Sequence, residues 1–291
     1  MFETLVVQPI FNLLALIYAV VPGHDFGVAV IIFTVIIRAL LWPLLKKQLH
    51  QTRLMRELQP EIKKIKQKTK GDKQKEAQLL MELYKEKGIN PFGSIGLLLV
   101  QLPILIGLFQ GLRRLAENKQ TIIDLSYGWV QNVGWMESVS ADISNFNETL
   151  FGAVDLTRSG FGETGTYWPV IFIALLAAVL QFVQSRQLMP KSDDARSLRQ
   201  ILKDESRGKR ADQAEINAAV GRNMRFFFPA LTFVFASSVP GALGLYWAAG
   251  SLVGYLQQRT VLRHDVEEME GMTKKAKGKT GRKNRKGKGE S

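Results

Sequence analysis

The chain has 291 residues, 46% of them hydrophobic, yet it carries 39 Lys+Arg against 26 Asp+Glu, a formal net charge of +13. Those facts coexist only if apolar and basic residues are segregated, which excludes a soluble domain with a basic face and points to an all-α polytopic membrane protein. The lack of cysteine excludes disulfides, thiolate nucleophiles, zinc–cysteine sites and a lipid-modified amino-terminal cysteine.

Residues 5–21 are apolar, but Gln8, Pro9 and Asn12 interrupt them and Pro22-Gly23 ends them. A span here would leave almost no loop before the next apolar run. Residues 1–24 are therefore expected to be an amphipathic segment in the outer interface. The alternative is a partly embedded, signal-like segment, although no Lys or Arg precedes its apolar part. The next run, 26–45, reads FGVAVIIFTVIIRALLWPLL and is the core of a first span over 25–48. Twenty residues at helical rise cover ~30 Å, the hydrocarbon thickness of a bilayer.

Arg38 lies inside that run. Its guanidinium is always charged, and placing it near mid-membrane costs at least ~2.5–3.5 kcal/mol on insertion scales. No Asp or Glu lies in any apolar run, so no intramembrane carboxylate is available to it. The charge must then face water, a partner or a task. The plain alternative is snorkelling toward the Lys46 end. Thr34 sits one turn earlier on the same face.

Residues 49–90 are expected to form a cytoplasmic helical hairpin. Leu54, Leu58, Ile62 and Ile65 follow helical spacing on its first arm, and Leu79, Leu80, Leu83 and Tyr84 supply the second. Lys70-Gly71-Asp72 makes the turn with Asp72 as N-cap. Gly88 caps the second arm, and Asn90-Pro91 starts the next helix. Lys63, Lys64, Lys66, Lys85 and Lys87 lie on the polar faces. They suit anionic headgroups, or docking of a client chain or ribosome.

The second span is expected over 91–113, with Gln101 two residues before a kinking Pro103. Gly107 and Gly111 form a GxxxG pair, a motif common by chance in membrane helices. An extracytoplasmic loop follows over 114–166; its Asn147-Glu148-Thr149 fits a glycosylation sequon, also frequent by chance. The third span is 167–188, with Gln181 and Gln184 in its later half, and 189–225 is a cytoplasmic loop. Residues 226–258 read as a hairpin of two short spans broken at Val239-Pro240-Gly241. Ser237 and Ser238 close the fourth span. Tyr246, Trp247 and Ser251 lie along the fifth, with Gln257 and Gln258 at its end. Residues 259–291 are expected to be a basic, disordered tail.

Loop charges orient this plan. Residues 1–37 contain no Lys or Arg, 46–90 contain thirteen, 113–166 four, 186–225 ten and 259–291 eleven. The positive-inside rule then puts the amino terminus outside and the carboxyl terminus in the cytoplasm of a multi-pass plasma-membrane (inner-membrane) protein. The fold class is five transmembrane helices around a cytoplasm-open hydrophilic groove. Arg38 is its only fixed charge, and Thr34, Gln101, Gln181, Tyr246, Trp247 and Ser251 line it.

With these motifs placed, the chain resembles the YidC-type membrane protein insertases, with relatives in mitochondria and chloroplasts. The stretches that carry the resemblance are FTVIIRALLWPLLKKQ (33–48), LQPEIKKIKQK (58–68), ELYKEKGINPFGSIGLLLVQLPILIGLF (82–109) and PGALGLYWAAGSLVGYLQQ (240–258). With the order and topology of the five spans, the resemblance covers roughly residues 1–265. The resemblance makes Arg38 the groove arginine with Thr34 beside it, Gln101 the glutamine before proline, and Tyr246-Trp247 the aromatic pair that clients contact. It implies insertion and folding of nascent membrane proteins, alone or with the Sec translocon. The ribosome is a partner through the basic tail and hairpin, anionic lipids bind nearby, and a monomer suffices. The chain departs from the pattern in lacking a large periplasmic domain and a lipobox cysteine, and in its long 189–225 loop.

Three other functions compete. An anion-conducting transporter or channel would use Arg38, although ion coupling normally uses intramembrane acids. An enzyme is not expected: His24, His50 and His264 are scattered outside the spans, and no nucleophile–base pair, metal spacing or phosphate-binding glycine motif occurs. No cofactor is expected either. A mere scaffold would make groove substitutions silent.

Overall fold

In a computed structural model of the protein, the described residues are 1–69, 72–88, 90, 95–162, 165–188, 203 and 213–286. They form a mostly helical protein with several apolar helices, as a helical membrane protein requires. A π-helical turn, Glu3–Val7, leads without a break into α1 (Gln8–Val20). Val7, Phe11, Leu14, Ala15 and Tyr18 on this segment are fully buried.

Glu3–Val20 is long and apolar enough to cross a membrane, but its contacts run across the bundle. Glu3 pairs with Arg114 at 3.0 Å, near the carboxyl end of α6 (Ile95–Glu117). That guanidinium holds the Glu3 carboxyl below the usual carboxylate range. Farther along, the Asn12 side chain donates to Leu125 O at 2.8 Å and accepts from Tyr127 N at 2.6 Å. Near the other end, Tyr18 Oη accepts from Asn147 N at 2.9 Å. Both ends of the segment thus meet the end of the bundle that carries residues 114–147, termed the loop end below. Gly107 and Gly111 make the crossing close. A Cβ at Gly107 would stand 2.8 Å from Ile10 Cδ1, and one at Gly111 2.6 Å from Phe11 Cδ2. The GxxxG pair, weak as a sequence signal, is the seat of the amino-terminal helix.

A turn through Gly23 and His24, both at positive φ, delivers Asp25 as N-cap of α2 (Phe26–Leu40), where its Oδ1 accepts from Val28 N at 2.9 Å. The expected first span is not one straight helix. At Leu41 the chain bends by 61° into α3 (Trp42–Glu57). Pro43 explains the break, since it has no N–H to donate back and its ring crowds the preceding turn.

The hairpin arms are α4 (Gln59–Thr69) and α5 (Lys73–Glu86). Leu58, Ile62 and Leu83 are buried between them, with Leu54, Ile65, Leu80 and Tyr84 around them, so the spacing argument holds. Asp72 caps α5 by accepting from Gln74 N and Lys75 N, both at 3.1 Å. Gly88 ends it at φ +64. Lys70, Gly71 and Pro91 lie outside the described residues, as do the first residues of the second expected span.

After α6, residues 114–166 are not a plain loop. They form α7 (Thr121–Asp124), α8 (Gly128–Gln131), α9 (Trp135–Ala141), a 3-10 turn, and two small antiparallel hairpins. These are β1 (Thr149–Leu150) with β2 (Val154–Asp155), and β3 (Phe161–Gly162) with β4 (Gly165–Thr166). Helix α10 (Trp168–Leu188) matches the third expected span. Most of 189–212 lies outside the described residues. Helix α11 (Gln213–Ser238) starts well before residue 226, although its apolar part is Phe226–Ser238.

A sharp turn at Pro240 leads into α12 (Gly241–Lys286). Gly241 N and Ala242 N donate to Arg158 O and Leu156 O, which fastens this turn to the loop end. Val170, Ile173 and Gln184 of α10 face Gly241, Gly244 and Gly254 of α12, so the two helices run parallel in constant register. Val261 of α12 packs on Leu45 and Leu49 of α3. The helical backbone then continues to Lys286, where the sequence predicts disorder from 259. Good helix formers such as Glu, Met, Lys and Ala fill the first turns past that contact.

Candidate functional site

Arg38 leaves the last turn of α2 and points between helices into a cavity of about 320 Å³. Gln101, Gln181, Tyr246, Trp247 and Ser251 line the same cavity. Six of the seven residues that the sequence proposes for a groove therefore converge. Thr34 does not line it. It is only 1% exposed, its Oγ1 donates to Val30 O at 2.7 Å, and it lies beneath the site.

The guanidinium rests on a face of α12 that has no side chains. A Cβ at Gly250 would stand 3.3 Å from Arg38 Nη2, and one at Gly254 3.4 Å from Arg38 Nη1 and 2.5 Å from Gln184 Nε2. Gln257 fixes the backbone beside it by donating to Arg38 O at 2.9 Å. Across the cavity, Gln101 Nε2 donates to Tyr246 Oη at 2.7 Å, joining α6 to α12. Phe33 and Phe235 pack on Tyr246 and Trp247, with ring centroids 6.5 and 5.4 Å apart. Among the described residues no carboxylate pairs with Arg38. The arrangement is a cation in a wall of amides and hydroxyls.

Sequence reasoning misses Gln48, Leu105, Thr232, Gly250 and Gly254. Gln48 belongs to the basic end of the first apolar run, and only the bend at Leu41 turns α3 so that it joins the cavity. The glycines carry no chemistry of their own, and their role appears only when the facing side chain is known. The lysines that the sequence proposes for docking lie on α4 and at the end of α5. Lys63, Lys64 and Lys85 are exposed and Lys66 half-buried, whereas Lys87 is paired with Glu61 at 3.6 Å.

The sequence profile of the family described as 60Kd inner membrane protein matches residues 16–268. Membrane protein insertase YidC of Clostridium tetani is 30% identical over 255 residues, covering 88% of this chain and 89% of that protein. Membrane protein insertase MisCA of Bacillus subtilis is 27% identical over 267 residues, 90% of this chain and 80% of that protein. Inner membrane protein ALBINO3, chloroplastic, of Arabidopsis thaliana is 29% identical over 243 residues, 82% of this chain but 47% of its own length. The matched region contains every cavity residue named above.

Proposed function

The chain belongs to the 60Kd inner membrane protein family, and on that premise we propose that it is a membrane protein insertase working through the Arg38 cavity. The observation that carries this reading is a guanidinium with no carboxylate partner among the described residues, set among glutamines and hydroxyls inside apolar helices. Five spans are assigned: α2 with the start of α3, α6, α10, the apolar part of α11, and the first half of α12. Residues 1–24 lie at the outer interface, because both ends of Glu3–Val20 contact the loop end. The amino terminus is outside, and the hairpin and the carboxyl-terminal tail are cytoplasmic.

The physical task is to move a client's polar outer tail across an apolar slab. An unpaired polar group or charge buried there costs several kcal/mol. A wetted cavity reaching part-way across shortens the apolar distance, and a short apolar stretch such as Phe226–Ser238 favours a locally thinner bilayer. Arg38 attracts acidic groups on the tail, more strongly than in bulk water because the surroundings are less polar. The tail's remaining donors and acceptors exchange partners with Gln101, Gln181, Gln184 and Ser251. The client's apolar helix then passes Trp247 and Phe235 into lipid, which is favourable burial. Nascent membrane proteins are the clients, with the Sec translocon, ribosomes and anionic lipids as partners, and a monomer carries the whole site.

The test is reconstitution of the purified protein in vesicles with a single-span client bearing an acidic tail. Insertion is expected without a nucleotide, and it should fall when Arg38 is replaced by alanine. Anion flux through the same vesicles without insertion would instead favour a channel.

A further inference from the structure

We propose that the two loop-end strand pairs, β1–β2 and β3–β4, are seated in the outer leaflet, with Phe151 and Phe161 among the lipid headgroups and upper acyl chains. Phe151 is 75% exposed at the tip of the first hairpin, and Phe161 is 56% exposed in the second. Neither is a chance of a flexible loop. Phe151 has φ 54 and Gly152 φ 66, and Ala153 N donates to Leu150 O at 3.1 Å. This is a type I′ turn, whose first central position favours Asn, Asp or Gly. A large aromatic there opposes the backbone preference and, in this fold, buries little of its surface. A lipid surface gives it something to bury.

The positions of both hairpins say which surface. Leu150 packs on the first turn of α2, where a Cβ at Gly27 would stand 2.5 Å from its Cδ1. A Cβ at Gly160 would meet Ile171 Cδ1 at 2.6 Å and Ser237 O at 2.9 Å. Ser159 bridges to Pro240. The hairpins are therefore pinned to the ends of α2, α10 and α11, where spanning helices leave the hydrocarbon. Phe161 pairs with Thr166, two residues before Trp168, itself 63% exposed at the start of α10. Exposed Phe172, Leu175, Leu176 and Val179 continue down that helix. Phe161 thus adds an exposed aromatic side chain beyond the end of this exposed apolar stripe. The Arg158 guanidinium lies 4.1 Å over the Tyr167 ring, a basic–aromatic pair of the kind that marks membrane–water boundaries. Seated this way, the hairpins hold the outer ends of α2 and α12, the helices that carry Arg38 and its glycine seat, at a fixed depth.

The cysteine-free chain makes the test direct. Phe151→Cys and Phe161→Cys are each labelled with a nitroxide in the full-length protein, reconstituted in phosphatidylethanolamine–phosphatidylglycerol vesicles. Collision with oxygen, which partitions into lipid, is compared with collision with a water-soluble nickel chelate. Phe172→Cys gives the lipid reference and exposed Ala141→Cys the aqueous one. Both hairpin labels are expected to shift toward oxygen, nearer the Phe172→Cys value than the Ala141→Cys value. A label at either hairpin that matches Ala141→Cys overturns the proposal. So does a label that neither reagent reaches, which would mean that protein covers the tips. Loss of insertion activity leaves this readout unaffected, so the seat and the insertase reading can fail separately.

Discussion

In the loop-end core, the Asn12 amide is fully engaged: it donates to Gln8 O and Leu125 O and accepts from Tyr127 N. Tyr18 Oη and Ser126 Oγ also have partners, and Phe11 and Phe26 lie in the same core with almost no exposure. Farther along, on α2, no carboxylate among the described residues pairs with Arg38, which shares its cavity with Gln101, Gln181 and Gln184. Around Asn12, Tyr18 and Ser126 the first region is a hydrogen-bonded core, which rigidifies. The second leaves polar capacity unspent, which costs stability and is tolerated where a ligand supplies the missing partner. The difference divides the molecule into a loop-end frame and a polar cavity.

Arg38→Ala is expected to have the largest effect on activity. Losing a charged hydrogen bond of about 1.5–3 kcal/mol corresponds to roughly a tenfold to hundredfold loss. Insertion of acidic-tailed clients into vesicles should fall by that order, while neutral-tailed clients lose much less. Arg38→Lys should retain much of the activity, since lysine supplies a cation of similar reach. Equal insertion of both client classes by the alanine variant would break the contrast, because Arg38 would then be an anchor like the frame residues.

Asn12→Ala should do the reverse. It strands Tyr127 N–H and Leu125 C=O in a buried site, at about 1–3 kcal/mol. The expected outcome is a lower unfolding temperature in detergent, with acidic and neutral clients affected alike. Cysteine labelling sharpens the same boundary. Gln184→Cys, on the cavity wall, should react with a small water-soluble thiol reagent in intact membranes, since reaction needs the thiolate and hence water. Thr34→Cys should not, because position 34 is 1% exposed. Equal reactivity at the two would extend the wet region beneath Arg38.

The two regions were not equally legible in the sequence. The cavity was readable because a charge and several amides in apolar runs are anomalies that need a common explanation, and six of seven named residues meet there. The Asp72 cap and the Gly88 stop on the hairpin were readable because they act within a few residues. The frame was not. The crossing of α1 over α6 depends on Gly107 and Gly111 meeting Ile10 and Phe11 a hundred residues away, and a glycine does not announce its partner. The same holds for Gly250 and Gly254 under Arg38. The bend at Leu41 was marked by Pro43, but the apolar run continues through it, and hydropathy alone draws one straight span.

The smallest expected effect tests where the frame ends and the cavity begins. Gln101 and Tyr246 join α6 to α12 by one neutral hydrogen bond of 2.7 Å, worth about 0.5–1.5 kcal/mol. Above it, Leu108, Leu112 and Leu115 bind α6 into the frame, whereas Leu99, Val100 and Leu102 near Gln101 are exposed. Pro103 sits between the two stretches and removes a backbone bond. The hydrogen bond is therefore a polar tie between α6 and α12 across the cavity. Gln101→Leu and Tyr246→Phe should each lower the unfolding temperature slightly and change insertion only a few-fold. Combined, they should cost no more than either alone, because the second substitution has no bond left to remove. Fully additive effects would mean that Gln101 and Tyr246 serve the client separately, and the cavity would then extend up to the frame with no tie across it.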